Sequence, residues 1–222
     1  MMLLTQNSKM KKTSKGNLVV YNFGIPAFKS ESGLITCPSA KLCVAGCYAR
    51  SGTYRFSNSV KAYENKLKAT LADNFVDVMT AEIMLLKVKN SGKILFIRIH
   101  DSGDFYSQEY LLKWVTIMLK HTDVKFYAYT KQISMLKKFK SIGLIPDNFT
   151  TIFSFGGKED HLIDTNRDRH AKVFETARKI ERGYINATNN DLYALSDASL
   201  KVGLAYHGVK KYTNTRWSEV TV

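Results

Sequence analysis

All three cysteines of the 222-residue chain, Cys37, Cys43 and Cys47, lie within one short segment. Their spacing is C-x5-C-x3-C, and Pro38 and Gly46 lie inside the segment, which favours a loop over a continuous helix. Thiolates are soft ligands that suit zinc, copper(I) and iron–sulfur clusters. A disulfide framework is not indicated, because the cysteine count is odd and the chain is long enough to build a core without cross-links.

Three interpretations of this cysteine segment follow from the residues. A structural zinc site normally has four ligands, often with CxxC spacing, so zinc would need a distant histidine here. Buried cysteines are also common as plain small hydrophobes. Three thiolates can instead hold a four-iron cluster and leave one iron open to a small molecule. We favour this last arrangement and predict a [4Fe-4S] cluster on Cys37, Cys43 and Cys47.

A strand predicted over residues 94–100 carries the second group of candidates. Side chains alternate between the two faces of a strand, so its aliphatic residues would lie under helices while Arg98 and His100 share the opposite face. Ligands of β/α folds bind where parallel strands end, which is next to these two residues. Arg98 has an alternative structural interpretation, as the buried partner of Asp101 or Asp104.

The strand ends and the cysteine segment together define a candidate site. We predict catalytic roles for His100 and Asp104, either of which would act as a general base. Side chains beside the last cysteine and at the ends of two successive strands are predicted to bind the ligand. These ligand-binding residues are Tyr48, Arg98, Ser102 and Lys131.

Hydrophobic periodicity predicts an alternation of strands and helices from residue 18 onward. Such alternation favours a parallel sheet with covering helices, and the cysteine segment follows the first strand. Helices are expected over residues 169–179 and 192–200, and a last strand near residues 203–206. Residues 1–15 are polar and lysine-rich and are expected to form a flexible basic arm. Residues 16–222 are expected to form one iron–sulfur α/β domain.

Four segments resemble the phage gene product 88 family: CPSAKLCVAGCYARSGTYRF, IRIHDSGDFYSQEYLLKW, VKFYAYTK and VGLAYHG. This resemblance covers residues 17–210 and implies a phage-encoded protein of the infected host cell. A cysteine triad that ends in CYA, followed by a β/α chain, also resembles the radical-SAM barrels in a more remote way. The second resemblance implies a partial (β/α) barrel with S-adenosylmethionine as a candidate ligand of the open iron.

The charge of the chain adds a second class of function. An excess of 33 basic over 19 acidic residues gives a net charge of +14, which attracts nucleic acid and other anions. Aromatic residues expected at the surface, Tyr54, Phe56 and Tyr106, would stack on bases. No apolar run reaches the roughly 18–20 residues that span a bilayer, and no signal peptide is visible. We therefore expect a cytoplasmic location and no membrane partner.

Two functions from different classes remain after these observations. The leading hypothesis is an iron–sulfur enzyme that binds a small molecule at the open iron. Its chemistry would be radical-SAM-like, or hydrolysis or hydration with the open iron as a Lewis acid. The alternative is a basic nucleic-acid-binding phage protein whose metal site is structural.

Overall fold

Seven parallel strands form one sheet in the computed structural model, which describes residues 2–206. Their order across the sheet is β1-β2-β3-β4-β5-β7-β6, and every pairing is parallel. The strands are Leu18–Asn22 (β1), Ile94–Ile99 (β2), Lys125–Thr130 (β3), Phe149–Ser154 (β4), His170–Phe174 (β5), Ile185–Asn186 (β6) and Lys201–Ala205 (β7). The predicted single-domain partial α/β barrel, with the cysteine segment after its first strand, is confirmed.

Five α-helices accompany the strands in this part of the chain. They are Ser8–Thr13 (α1), Ser57–Leu71 (α2), Phe75–Lys89 (α3), Gln108–Lys120 (α4) and Ile133–Ser141 (α5). The start of α4 is fixed by Ser107, whose hydroxyl accepts the amide hydrogen of Tyr110 at 3.1 Å. Within residues 2–206, no helix combines the length and the apolar character required to cross a membrane.

The two faces of the sheet bury two separate apolar clusters. The larger cluster lies under the helices and contains Leu95, Ile97 and Ile99, so the alternation predicted for β2 is correct. The smaller cluster covers the other face and includes Tyr127 and Ile152. Strands that are buried on both faces are typical of parallel sheets flanked by helices.

Two predicted helices are wrong. Residues 170–174 form strand β5, in which His170 pairs with Phe153 of β4 and with Lys201 of β7. Residues 191–195 form only a short 3₁₀ turn, and the chain then continues as a loop. In that loop, the hydroxyls of Ser196 and Ser199 accept backbone amide hydrogens two residues ahead, at 3.2 and 2.9 Å. Such local bonds compete with helix formation.

The N-terminal segment packs against the domain instead of forming the expected flexible arm. Leu3 and Leu4 are buried, and their amides donate to the two carboxylate oxygens of Glu82 at 2.7 Å each. Thr5 forms an antiparallel bridge with Asn22 at the edge of β1. These contacts tie residues 3–5 to helix α3 and to the edge of the sheet. At the other end, residues 207–222 of the predicted domain lie outside the described residues.

Candidate functional site

A cavity of about 200 Å³ lies where the parallel strands end, between the sheet and the cysteine segment. Every residue that the sequence assigned to the site contributes to its wall, although these residues come from three separate stretches of the chain. They are Cys37, Cys43, Cys47, Tyr48, Arg98, His100, Ser102, Asp104 and Lys131. The cavity thus lies at the carboxyl ends of the strands, where ligands of β/α folds bind.

The cysteine segment is held over the strand ends by the loop that follows β4. The carbonyl oxygen of Gly156 accepts the amide hydrogens of Lys41 and Cys43 at 3.3 and 3.2 Å. A Cβ added at Gly157 would lie 2.9 Å from the carbonyl oxygen of Ser39, so a side chain does not fit there. Because Gly156 and Gly157 have no side chains, another group can approach their backbone closely. In the structure, it is the cysteine segment that makes this close approach.

The predicted iron–sulfur function is wrong. Among residues 2–206, no three histidine, cysteine, aspartate or glutamate side chains are grouped so that they could hold a metal ion. Cys37, Cys43 and Cys47 are free cysteines that border one cavity without converging as a ligand set. The same finding removes the structural metal site from the nucleic-acid-binding alternative. S-adenosylmethionine was expected only at the open iron, so that prediction loses its basis as well.

Two thiols of the cavity, those of Cys37 and Cys47, are neutral at physiological pH. Burial raises the pKa of Cys37 to about 12, and the nearby carboxyl group of Asp104 adds to this effect. A bond from the amide of Phe28 to the Sγ atom of Cys37, at 3.3 Å, opposes it. Burial also raises the pKa of Cys47. Because the thiolate is the nucleophilic form of cysteine, these two side chains are poor nucleophiles.

Alkylation should reveal this neutral state. At pH 8, Cys37 is expected to react with iodoacetamide on the order of 1,000-fold more slowly than an unperturbed cysteine, because only the thiolate attacks. Mass spectrometry of the labelled peptide over time measures this rate, and Cys37→Ser confirms the assignment. A rate that still rises above pH 10 separates the raised pKa from poor access. A plateau near pH 9 would contradict the assigned state.

Arg98 is paired with a residue that sequence reasoning missed. Its Nη1 atom donates to Asp191 at 2.9 Å, and its guanidinium carbon lies 4.9 Å from the centre of the Tyr129 ring. Asp191 is completely buried and also accepts bonds from Lys9 at 2.7 Å and from the Tyr127 hydroxyl at 2.9 Å. The proposed partners Asp101 and Asp104 are therefore not the ones that Arg98 uses.

His100 does not follow the alternation of strand β2. Its φ angle is +66°, in the left-handed region, so its ring turns away from the direction that the pleat would give it. The ring packs against Phe23 and Phe105 of the helix-covered core, and Nε2 bonds to the Tyr110 hydroxyl at 2.9 Å. Burial, with Arg98 nearby, lowers the pKa of His100 to about 3. Arg98 and His100 thus share a cavity wall but project into different surroundings.

Asp104 and Lys131 are fully occupied by hydrogen bonds to the protein. The carboxylate of Asp104 accepts from the Thr130 hydroxyl at 2.7 Å and from the amides of Phe105 and Lys131 at 2.8 and 2.9 Å. The Lys131 ammonium group donates to the hydroxyl and carbonyl oxygens of Ser154 and to a neighbouring carbonyl oxygen, at 2.8 to 3.0 Å. Both side chains therefore brace the ends of β2, β3 and β4.

The turn after β2 completes the wall of the cavity. Tyr48 donates from its hydroxyl to the carbonyl oxygen of Asp101. The carbonyl oxygen of Ser102, which is itself buried, accepts the amide hydrogen of Ile25 at 3.0 Å. A Cβ added at Gly24 would lie 2.0 Å from Oδ1 of Asp101, so the turn depends on a glycine at that position. Ser102 and the hydroxyl group of Tyr48 thus lie in a tightly packed part of the cavity wall.

Two of the three aromatic residues proposed to contact bases, Tyr54 and Tyr106, are only partly exposed. Phe56 is 64% exposed. Tyr54 is stacked on Tyr63 at 5.5 Å between ring centres, and Tyr106 is stacked on Tyr110 at 4.4 Å. Only one of the three is thus open to a nucleic acid, and the structure provides no aromatic platform from this set.

Known proteins similar to this chain come from bacteriophages. A family model described as "Gene product 88" matches residues 1–219. The "Gene 88 protein" of Mycobacterium phage D29 is 28% identical over 221 residues, which is 89% of each chain. The "Gene 88 protein" of Mycobacterium phage L5 is 30% identical over 129 residues, which is 54% of this chain and 52% of that protein. No solved structure matches the chain significantly, and the comparisons do not show the resemblance to radical-SAM barrels.

Proposed function

This chain belongs to the gene product 88 family, and we propose that it is a phage protein that binds a small organic molecule in the cavity at the strand ends. The position of the cavity supports the proposal, because small ligands of parallel β/α folds bind at the carboxyl ends of the strands. Neutral thiols and small apolar side chains line much of it, including Ala27, Val173 and Leu204. Such a wall suits the apolar body of a ligand.

The observation that carries the proposal is the incomplete bonding of Arg98. A guanidinium group has five N–H donors, and the buried Nε of Arg98 has no acceptor among residues 2–206. Buried donors are almost always bonded, and Arg98 lines the cavity, so its unpaired donor supports an acceptor supplied by a ligand. Arg98 and Lys9 also share one carboxylate, that of Asp191, so two basic side chains are bonded to a single acidic one.

The ligand class follows from these two features of the wall. A compact apolar or aromatic body would contact the thiols and the aliphatic residues. A carboxylate, sulfonate or phosphonate oxygen would accept the free donor of Arg98, since bonds between charged groups are the stronger ones. The two side chains that were predicted to be catalytic are less available. Asp104 is already bonded to the protein, and burial keeps His100 neutral. Binding is therefore a better match to this geometry than acid–base catalysis.

Replacing Arg98 with lysine tests the role of the free donor. Lysine keeps the positive charge beside Asp191 but removes Nε and the planar fork. A lost hydrogen bond to a charged group is worth about 1.5–3 kcal/mol, so affinity is expected to fall roughly 10- to 100-fold. Naphthalene-2-sulfonate is a suitable probe, because it joins an aromatic body to an anionic head. Its binding is measured as protection of Cys43 from alkylation by a maleimide, which reports on the cavity alone.

Matched variants make this measurement decisive. Arg167→Lys makes the same chemical change at a side chain that is 87% exposed, and it should leave protection unchanged. Ala27→Phe fills part of the cavity and should abolish protection. The proposal fails if a panel of aryl carboxylates, sulfonates and phosphonates gives the unmodified protein no protection up to about 1 mM. Equal affinities of the Arg98→Lys and unmodified proteins would remove Arg98 from the site.

A further inference from the structure

The outward side of α3 is apolar along most of its length. Between positions 78 and 88, five residues are exposed and none of them is polar: Val78, Ala81, Met84, Leu85 and Val88. The side chains of Leu85 and Val88 are 71% and 77% exposed. The opposite side of the helix packs on the core through residues such as Met79 and Ile83. Helix α3 thus has an apolar stripe on its outward side as well as on its core side.

A helix of this kind normally has a partner on each side. Surface helices carry charged residues outward, and a helix that is hydrophobic all round is usually buried. Four of the exposed residues, at positions 78, 81, 85 and 88, follow a 3-4-3 spacing. This is the spacing of the a and d positions by which one helix packs along another. The exposed stripe therefore has the pattern that another helix would cover.

The stripe is complementary to itself in the antiparallel direction. A two-fold axis near Ile83 would place Val78 opposite the partner's Val88 and Ala81 opposite the partner's Leu85, so that small residues meet large ones. It would also bring Asp77, at the start of the helix, close to the partner's Lys89 at its end. We propose that α3 forms the interface of an antiparallel homodimer with two-fold symmetry.

Charge and neighbouring residues favour a second copy over a lipid surface. Helices that lie on membranes carry lysine and arginine along the polar borders of the apolar face. Around α3, charges of both signs are present and paired, as in the bond of 2.5 Å between Lys87 and Asp123. Helix α4 packs beside α3 and adds the exposed side chains of Leu112 and Leu119. These two leucines would extend the dimer interface beyond a single pair of helices.

Sedimentation equilibrium over a dilution series tests the dimer. The unmodified protein is expected to pass from dimer to monomer within the range of about 1 to 100 μM. Leu85→Glu would place a carboxylate in each half of the interface, and it should weaken dimerisation by at least about 30-fold. Ile142→Glu is the matched control, because Ile142 is 58% exposed and lies outside α3 and α4. It should leave the equilibrium unchanged.

A charge exchange tests the antiparallel orientation. Asp77→Lys should weaken the dimer, and the double variant Asp77→Lys, Lys89→Asp should restore it, because each chain again presents opposite charges at the two ends. A protein that is monomeric at every concentration would overturn the proposal. So would a dimer that tolerates Leu85→Glu. If the monomer instead sediments with phosphatidylglycerol vesicles and Leu85→Glu abolishes this, a membrane is the occupant.

Discussion

Replacing Asp191 with alanine is expected to lower the free energy of unfolding by about 3–5 kcal/mol, because it leaves buried positive charge without a partner. Arg98 would lose its ion pair, and the Tyr127 hydroxyl would lose its acceptor. Lys9, whose side chain is 26% exposed, would lose its own ion pair but can turn toward water. Urea denaturation at pH 7 measures the change.

Asp197→Ala provides the comparison for this variant. Asp197 accepts a bond from Arg169 at 3.3 Å, but its side chain is fully exposed, so its removal should change stability very little. If both variants unfold at the same urea concentration as the unmodified protein, the buried network contributes no stability. Asp191→Asn is a milder change, because it keeps an oxygen that can accept one bond.

The network around Asp191 also contributes to behaviour in acid. Burial acts to raise the pKa of Asp191, but the charges of Arg98 and Lys9 outweigh it, so the pKa lies below its usual value. The stabilisation is therefore present at pH values above the unfolded pKa, near 3.9. It is lost as the pH falls through the lower pKa of the folded protein.

Acid should destabilise the fold through His100 at a higher pH than through Asp191. The pKa of this imidazole is lowered to about 3 by burial and by Arg98, whereas in the unfolded chain it is about 6.5. Below pH 6.5, the unfolded state binds a proton that the folded state does not. Stability is therefore lost by roughly 1.4 kcal/mol per pH unit as the pH falls toward 3.

His100→Asn should remove this part of the pH dependence. Asparagine is chosen because it tolerates the positive φ angle at this position better than most residues. Unfolding free energies measured between pH 7 and 4 should fall by roughly 3 kcal/mol less in the variant than in the unmodified protein. His161→Asn, at an exposed position, should preserve the full slope. An unchanged slope in His100→Asn would show that the imidazole is protonated in the folded state.

Much of the fold is readable from the sequence because strands and helices have different periods. The aliphatic residues 95, 97 and 99 identified the helix-covered face of β2, and the rule that sites lie at strand ends brought the candidate residues to one cavity. Strand β5 was missed because five residues are too few to separate a period of two from a period of 3.6. The serines that stop the helix predicted after residue 191 act through local bonds rather than through periodicity.

The details of the site depend on distances that no local pattern encodes. Asp191 lies 93 residues from Arg98, and a carboxylate in a short turn gives no sign of its partner. The direction of the His100 ring depends on the sign of one φ angle. The clustering of the cysteines along the chain suggested a metal. The position of the segment is set instead by its backbone bonds to Gly156, and the Sγ atom of Cys37 accepts a bond from the amide of Phe28.

The docking of the N-terminal segment has a consequence for the newly made chain. Lys9 pairs with Asp191, and Leu3 and Leu4 bond to Glu82, so this segment has partners that are synthesised much later than itself. At roughly 5–20 residues per second, about 10–40 s separate the synthesis of Lys9 from that of Asp191. During this interval, Lys9 is held neither by its ion pair nor by a finished sheet. The ion pair of Lys9 is therefore among the last contacts of this segment to form on the ribosome.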